Sequence, residues 1–330
     1  MWKKGVKVFT AMMLVGSMLI GGVTPVSLAE AAITWTEEEL MMTNANAIRL
    51  KVKKNGSLSV FSIGVNGQTK KKKAKNVNKL TVFNINGAQM QDKKVASQKN
   101  VKINKNAVVI NDGTIDTLVQ EGKNSAVLYR YVNSGKLQRK WNFNLKKLKK
   151  NSNGGTKIVI NKLYNVNANK MRVLYAVKKA DGTFTSGGTA ILNLKTRAVK
   201  KENKLVFSPT GVDNKYVYGM HYNTVTGVKD ISIANIKTGI VEYRFPVAGK
   251  QSQFKCKDGV IMYVNELGIF GGKYTDKQLI RVVDFTRSPI SSAYVGATYI
   301  VRDIAFKDAK TFYVTFEKTG SLHVVKYMLK

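Results

Sequence analysis

Two lysine-rich stretches hold the residues best suited to capture a ligand. Lys70, Lys71, Lys72, Lys73 and Lys75 follow the Asn66-Gly67 turn pair. Arg139, Lys140, Trp141, Lys146, Lys147, Lys149 and Lys150 crowd a second stretch that runs into Asn151-Ser-Asn-Gly-Gly155. Amines at this density attract phosphate, sulfate or carboxylate groups, and Trp141 with Phe143 would add rings on which sugars or bases stack. Lysine is a hydrated point charge without the bidentate fork of arginine, so these residues point to general polyanion binding and not to specific DNA reading. Within the second stretch, Lys146, Lys147, Lys149 and Lys150 surround an apolar Leu148.

Other chemistries find less to build on. No Gly-x-Ser-x-Gly elbow occurs, and His221 and His323 fall in strand-like patterns with no sequence partner beside them. No catalytic residue is assigned. Asn111-Asp-Gly-Thr-Ile-Asp116 resembles part of a calcium loop but lacks the later glutamate, and reads as a hairpin turn. No metal or other cofactor is expected. Gly187-Gly-Thr189 and Gly271-Gly-Lys273 precede strands, not the helices a phosphate loop needs. The single cysteine, Cys256, excludes an internal disulfide and reads as filling an apolar strand position. Carboxylates able to serve a glycan hydrolase or lyase are Asp181, Asp213, Asp230, Asp258, Asp284, Asp303 and Glu317, if the fold makes them converge.

The elements that must position these residues are set by a 330-residue chain with Lys+Arg 55 against Asp+Glu 20, a formal net charge of +35. The excess is uneven. Residues 49–180 carry 30 basic and four acidic side chains, and no carboxylate occurs from Gly122 to Ala180. Apolar residues at 44% and only four prolines exclude a disordered or collagen-like chain. Lys3, Lys4 and Lys7, an apolar run over 8–23, Pro25 and Ser27-Leu-Ala29 form an export signal over residues 1–29. The mature chain is expected to be secreted, extracellular or cell-wall associated, with no transmembrane span.

Residues 30–46 read as a leader with a short helix over Thr34–Thr43, capped by Thr36, with Glu37–Glu39 in its first turn. Those acids either dock on the basic remainder or belong to a solvated leader segment. From residue 47 to 330 the pattern is β, as in Lys310-Thr-Phe-Tyr-Val-Thr-Phe-Glu317, punctuated by hairpin pairs such as Asp181-Gly182 and Asp258-Gly259. An apolar strand followed by a turn recurs at Leu80–Gly87, Ala126–Gly135, Ala190–Arg197, Ser232–Gly239 and Ile280–Ser288, with Leu322–Met328 as a last copy. Turn positions 87, 135, 197, 239 and 288 are 48, 62, 42 and 49 residues apart, and the longest interval carries the insertion Leu145–Thr156. This is the period of a four-stranded propeller blade.

On that spacing and the Lys-Thr-Gly-like turn, the region 47–330 resembles secreted bacterial β-propellers of the TolB-like and WD40-like kind. The resemblance implies an all-β β-propeller of six four-stranded blades, with an early strand at about 48–62 completing the last blade. The Gly-His and Trp-Asp marks of WD40 repeats are absent. A propeller hosts many functions, so function must come from the site. The basic stretches favour a secreted, non-catalytic protein that binds an anionic polymer: a cell-wall or host glycan, a lipid headgroup or nucleic acid. An acidic protein surface, with electrostatic membrane or cell-wall association, is a further expected partner. Alternatives are a protein-interaction scaffold and a glycan hydrolase or lyase using the carboxylates above.

Overall fold

The computed structural model describes residues 35–43, 47–52, 58–65, 78–86, 89–94, 108–109 and 114–330, except 133–135, 224–226, 249–252, 277, 288–298 and 319–320. The described residues form six four-stranded sheets. One contains β2 (Ala47–Val52), β3 (Leu58–Val65), β4 (Asn78–Asn86) and β5 (Gln89–Lys94). Next come β6 (Val108–Val109), β7 (Ile115–Gln120), β8 (Ser125–Tyr131) and β9 (Leu137–Asn144). The third has β10 (Lys157–Asn167), β11 (Lys170–Lys178), β12 (Phe184–Asn193) and β13 (Val199–Lys201). The fourth has β14 (Ser208–Asp213), β15 (Tyr216–Tyr222), β16 (Lys229–Asn235) and β17 (Val241–Val247). The fifth has β18 (Gln253–Lys257), β19 (Val260–Asn265), β20 (Gly268–Lys273) and β21 (Ile280–Asp284). The last joins β22 (Tyr299–Phe306), β23 (Thr311–Lys318) and β24 (Ser321–Leu329) to β1 (Trp35–Thr43). Up-and-down sheets in chain order, the last completed by the first strand, define a six-bladed β-propeller.

That completing strand corrects two expectations. Residues 35–43 are a strand, not a helix, and it is this strand, not 48–62, that finishes the last sheet. The local helix-start signals lose to tertiary pairing. β1 runs antiparallel to β24 from Trp35↔Leu329 to Thr43↔Leu322, with one register shift between Glu39 and Met41. Its acids do dock intramolecularly: Glu38 lies 3.4 Å from Lys326 Nζ, and Glu39 Oε1 lies 2.6 Å from His323 Nδ1.

The repeat has a physical basis in a side-chain turn. Asn193 Oδ1 accepts from the backbone N–H of Lys195 and Thr196, and Asn235 Oδ1 accepts from that of Lys237. Each closes the hairpin between the third and fourth strands of its sheet, an Asx-turn. Ile280–Asp284 is instead a fourth strand, so that copy of the sequence pattern is out of phase with the others.

The described residues within 1–61, 83–91 and 248–330 form one compact unit, and those within 62–82 and 92–247 form another. In the second, Leu118, Leu128, Trp141 and Phe143 pack with Ile158, Met171, Val173 and Tyr175 in one buried cluster drawn from two consecutive sheets. In the first, Phe285, Val301, Phe312, Phe316 and Tyr327 form the corresponding core. Burial of this aliphatic and aromatic surface is the main stabilising term. No helix among the described residues is long and apolar enough to cross a membrane.

Candidate functional site

The insertion between the second and third sheets borders a concavity among the described residues. β9 alternates: Trp141 and Phe143 point into the core while Gln138, Arg139, Lys140, Asn142 and Asn144 face out. The chain then turns inward at Leu145, which is fully buried, and forms a single 3₁₀ turn, η1 (Lys146–Lys149). Leu148 is 1% exposed and joins the same core as Trp141. One buried leucine per turn leaves the flanking lysines no direction but outward.

Backbone bonds hold this connector in place. Leu145 N–H donates to Asn124 O at 2.7 Å, and Lys146 N–H donates to Asn144 Oδ1 at 2.9 Å. Ser152 Oγ donates to Lys149 O at 2.5 Å. Lys149 Nζ reaches Thr156 O at 3.1 Å, and Lys201 Nζ from β13 reaches Lys150 O at 3.3 Å. Burial, aided by Lys204, holds the Lys201 ammonium below the usual lysine range. Asn151 and Asn153 adopt positive φ (63° and 46°), which asparagine tolerates better than most residues.

The result is a cavity of ≈ 710 Å³ lined on one side by Asn124, Asn144, Lys146, Lys147, Lys149 and Lys150. The β12–β13 turn supplies the other side with Arg197, Ala198 and Val199. Arg197 sits at φ 60°, whereas the equivalent turn between β16 and β17 has Gly239 at φ 75°. A left-handed conformation costs a residue with a Cβ roughly 1 kcal/mol that glycine avoids. Here the conformation is kept with a guanidinium at the cavity wall.

No carboxylate lines this cavity, and the acids of the surrounding sheets are engaged elsewhere. Asp116, fully buried, accepts two bonds from Arg130 at 2.7 and 2.6 Å. Glu202 accepts two from Arg172, both at 2.9 Å. Glu121 accepts from the Tyr129 hydroxyl. Asp181 accepts from the Thr183 N–H, and that bond with the Thr183 hydroxyl holds its carboxyl below the usual range. Lys146, Lys147, Lys149, Lys150 and Arg197 therefore line one concavity with no carboxylate among its described lining residues.

A second polar cluster spans β15, β16 and β17. Asp230, 8% exposed, lies 3.0 Å from His221 Nδ1 and 3.2 Å from an Arg244 nitrogen, and it accepts from Ser232 Oγ at 2.5 Å. Cross-strand register explains the meeting: His221 pairs with Asp230, and Ser232 with Arg244. One carboxylate thus satisfies three partners, so the cluster is internally balanced.

Of the residues singled out in the sequence, Lys146, Lys147, Lys149 and Lys150 come together at the cavity. Arg139 and Lys140 are exposed on β9 and do not line it. Trp141 is a correction: it is 5% exposed, packed in the core with the Arg130 and Arg139 guanidinium groups 5.1 and 5.2 Å from its ring centre. Phe143 is buried as well, so no aromatic surface accompanies the lysines. Lys70, Lys71, Lys72, Lys73 and Lys75 lie outside the described residues.

Asp116 belongs to strand β7 and a buried ion pair, not to a turn. Both histidines have carboxylate partners that the sequence did not reveal. Cys256 is a buried thiol, as expected. Four of the seven candidate carboxylates are matched to cations: Asp230 with Arg244 at 3.2 Å, Asp284 with Arg281 at 3.3 Å, Asp303 with Lys255 at 3.7 Å, and Glu317 with Arg302 at 2.6 Å. No group of three or more metal-ligating side chains occurs among the described residues.

Sequence reasoning missed Asn124, Asn144 and Arg197. Arg197 was detectable, because Asn193-Leu-Lys-Thr-Arg197 aligns with Asn235-Ile-Lys-Thr-Gly239 and puts arginine where the sister turn has glycine.

Among known proteins, no family model matches this chain, and no curated protein matches it. Solved structures do. A carbohydrate-active enzyme from Trichoderma reesei superposes with a TM-score of 0.51 at 10% identity, covering 92% of this chain and 99% of that one. An α-L-arabinanase from Penicillium chrysogenum, complexed with arabinobiose, gives 0.48 at 9% identity over 86% and 92%. The β-propeller domain of the Trilobed protease from Pyrococcus furiosus gives 0.44 at 12% identity over 86% and 83%. The likeness to the Trichoderma structure supports the fold. The expectation of a non-catalytic polyanion binder is corrected here: a carbohydrate-active enzyme is the similar structure above, and Trp141 and Phe143, which were to supply rings beside the amines, are core residues.

Proposed function

We propose that this protein processes a glycan and holds it in the cleft beside η1. The observation that carries the reading is the ≈ 710 Å³ cavity lined by two asparagines, four lysines, Arg197, Ala198 and Val199, whose wall is mostly apolar with polar groups among it. A volume of this order accommodates small ligands of several rings. Amides and amines supply hydrogen bonds to hydroxyl groups, and aliphatic stems supply contact for the apolar faces of sugar rings. The carbohydrate-acting neighbours support the choice of glycan over other ligands of similar polarity. The basic, apolar and small-residue pattern of residues 1–29 supports an extracellular site of action. The TolB-like or WD40-like affinity rests on repeat spacing and on the Asx-turn after the third strand.

The direct test is to incubate the secreted protein with a panel of purified polysaccharides and follow product masses by liquid chromatography and mass spectrometry. At least one polysaccharide is expected to give new oligosaccharide masses, and a Lys146→Ser, Lys147→Ser, Lys150→Ser triple variant is expected to lose that turnover. Turnover by the triple variant at the wild-type rate, or no new product from any polysaccharide, contradicts the reading.

A further inference from the structure

From the cleft's charge pattern we infer its substrate class: a sugar bearing a tetrahedral oxyanion, sulfate or phosphate ester, in preference to a uronic acid or a neutral sugar. This rests on the reading of the cleft as a glycan site and specifies what that site selects.

Three observations carry it. First, Lys146, Lys147, Lys149, Lys150 and Arg197 form no ion pair with a carboxylate among the described residues, while Asp116, Glu202 and Asp230 each carry their own cations. Positive charge left uncompensated on concave walls favours a multiply charged guest. Second, four of the five cations are lysines on or beside one 3₁₀ turn whose buried side chain is Leu148, so their charge sits on separate stems and not on one fork, and the Lys149 ammonium also donates to Thr156 O. A planar carboxylate is best met by one guanidinium fork, whereas a tetrahedral ester offers three outward oxygens to separate point donors. Third, Arg197 occupies a left-handed position where the sister turn has glycine. Its backbone cost is not recovered by any ion pair with a described carboxylate, which is the pattern of strain retained for a ligand.

The test uses four matched oligosaccharides of one backbone: sulfated, phosphorylated, uronic and neutral. Calorimetric affinities are measured for the wild-type protein, for the Lys146→Ser, Lys147→Ser, Lys150→Ser triple variant and for Arg197→Gly. A control triple variant, Lys229→Ser, Lys237→Ser, Lys307→Ser, removes the same charge from exposed positions outside the cleft.

Sulfated or phosphorylated ligand is expected to bind about tenfold or more tightly than the neutral one, as charge-assisted hydrogen bonds imply. That preference should vanish in the cleft triple variant, weaken in Arg197→Gly and persist in the control. Whichever ester binds more tightly identifies the source, and either result supports the inference. Equal or tighter binding of the uronic ligand, or an equal loss in the control variant, overturns it. Turnover of the same ligands separates the two claims: selective binding without products sinks the processing role and leaves this inference standing. Products formed without charge preference do the reverse.

Discussion

Two polar clusters within one compact unit treat charge in opposite ways. At β15–β17, His221, Arg244 and Ser232 converge on a single carboxylate, Asp230, and every member has a partner. Beside η1, four lysines and Arg197 converge on no carboxylate among the described residues. The first arrangement is explained by strand register and serves the sheet. The second gains one ammonium-to-carbonyl bond, from Lys149 to Thr156 O, and no charge neutralisation, and gathering like charges is unfavourable unless something outside the chain neutralises them. The contrast separates polar groups that hold the fold from polar groups that await a ligand.

If that distinction holds, substitutions at balanced sites should cost stability and substitutions at the unbalanced site should not. The largest loss is expected at Asp116, whose removal strands Arg130 after a bidentate, buried pair is broken; Asp116→Ala should lower unfolding free energy by about 3 kcal/mol or more, read by chemical denaturation. Leu148→Ala follows, at about 2–4 kcal/mol for a buried leucine, and should also release the lysines from their fixed places. Its thermal midpoint and its glycan affinity should therefore fall together.

Asp230→Ala should cost less, about 1–2 kcal/mol, because Arg244 is half-exposed and water can replace its partner. It should leave glycan affinity unchanged, which a calorimetric titration checks. The Lys146→Ser, Lys147→Ser, Lys150→Ser triple variant sits at the bottom of the scale. Its stability should stay within about 0.5 kcal/mol of wild type, or rise slightly as repulsion is relieved. A drop of several kcal/mol there would make those lysines structural and erase the contrast.

Much of this was readable from the chain, and the parts that were not share a cause. The turn after Asn193 and Asn235 is local, written by an asparagine side chain bonding its own backbone, so the repeat and the blade period show in the sequence. Lys146–Lys150 around Leu148 is local as well, and the insertion that carries it stood out in the repeat spacing. By contrast, β1 carries local helix signals and becomes a strand because β24, some 280 residues away, pairs with it. Trp141 lies between lysines in sequence, yet the two-residue period of β9 sends it to the core. Asn124 reaches the cleft through a different hairpin from the lysines. Pairings across long separations are set by packing that no short window records.

The most direct test of the cleft as the glycan site is amide hydrogen exchange with and without a sulfated or phosphorylated oligosaccharide. Slower exchange is expected over residues 144–156 and in the 194–201 turn, with no change over 221–244. Protection that spares both of the first segments, or that centres on the His221–Asp230–Arg244 cluster, would contradict the assignment.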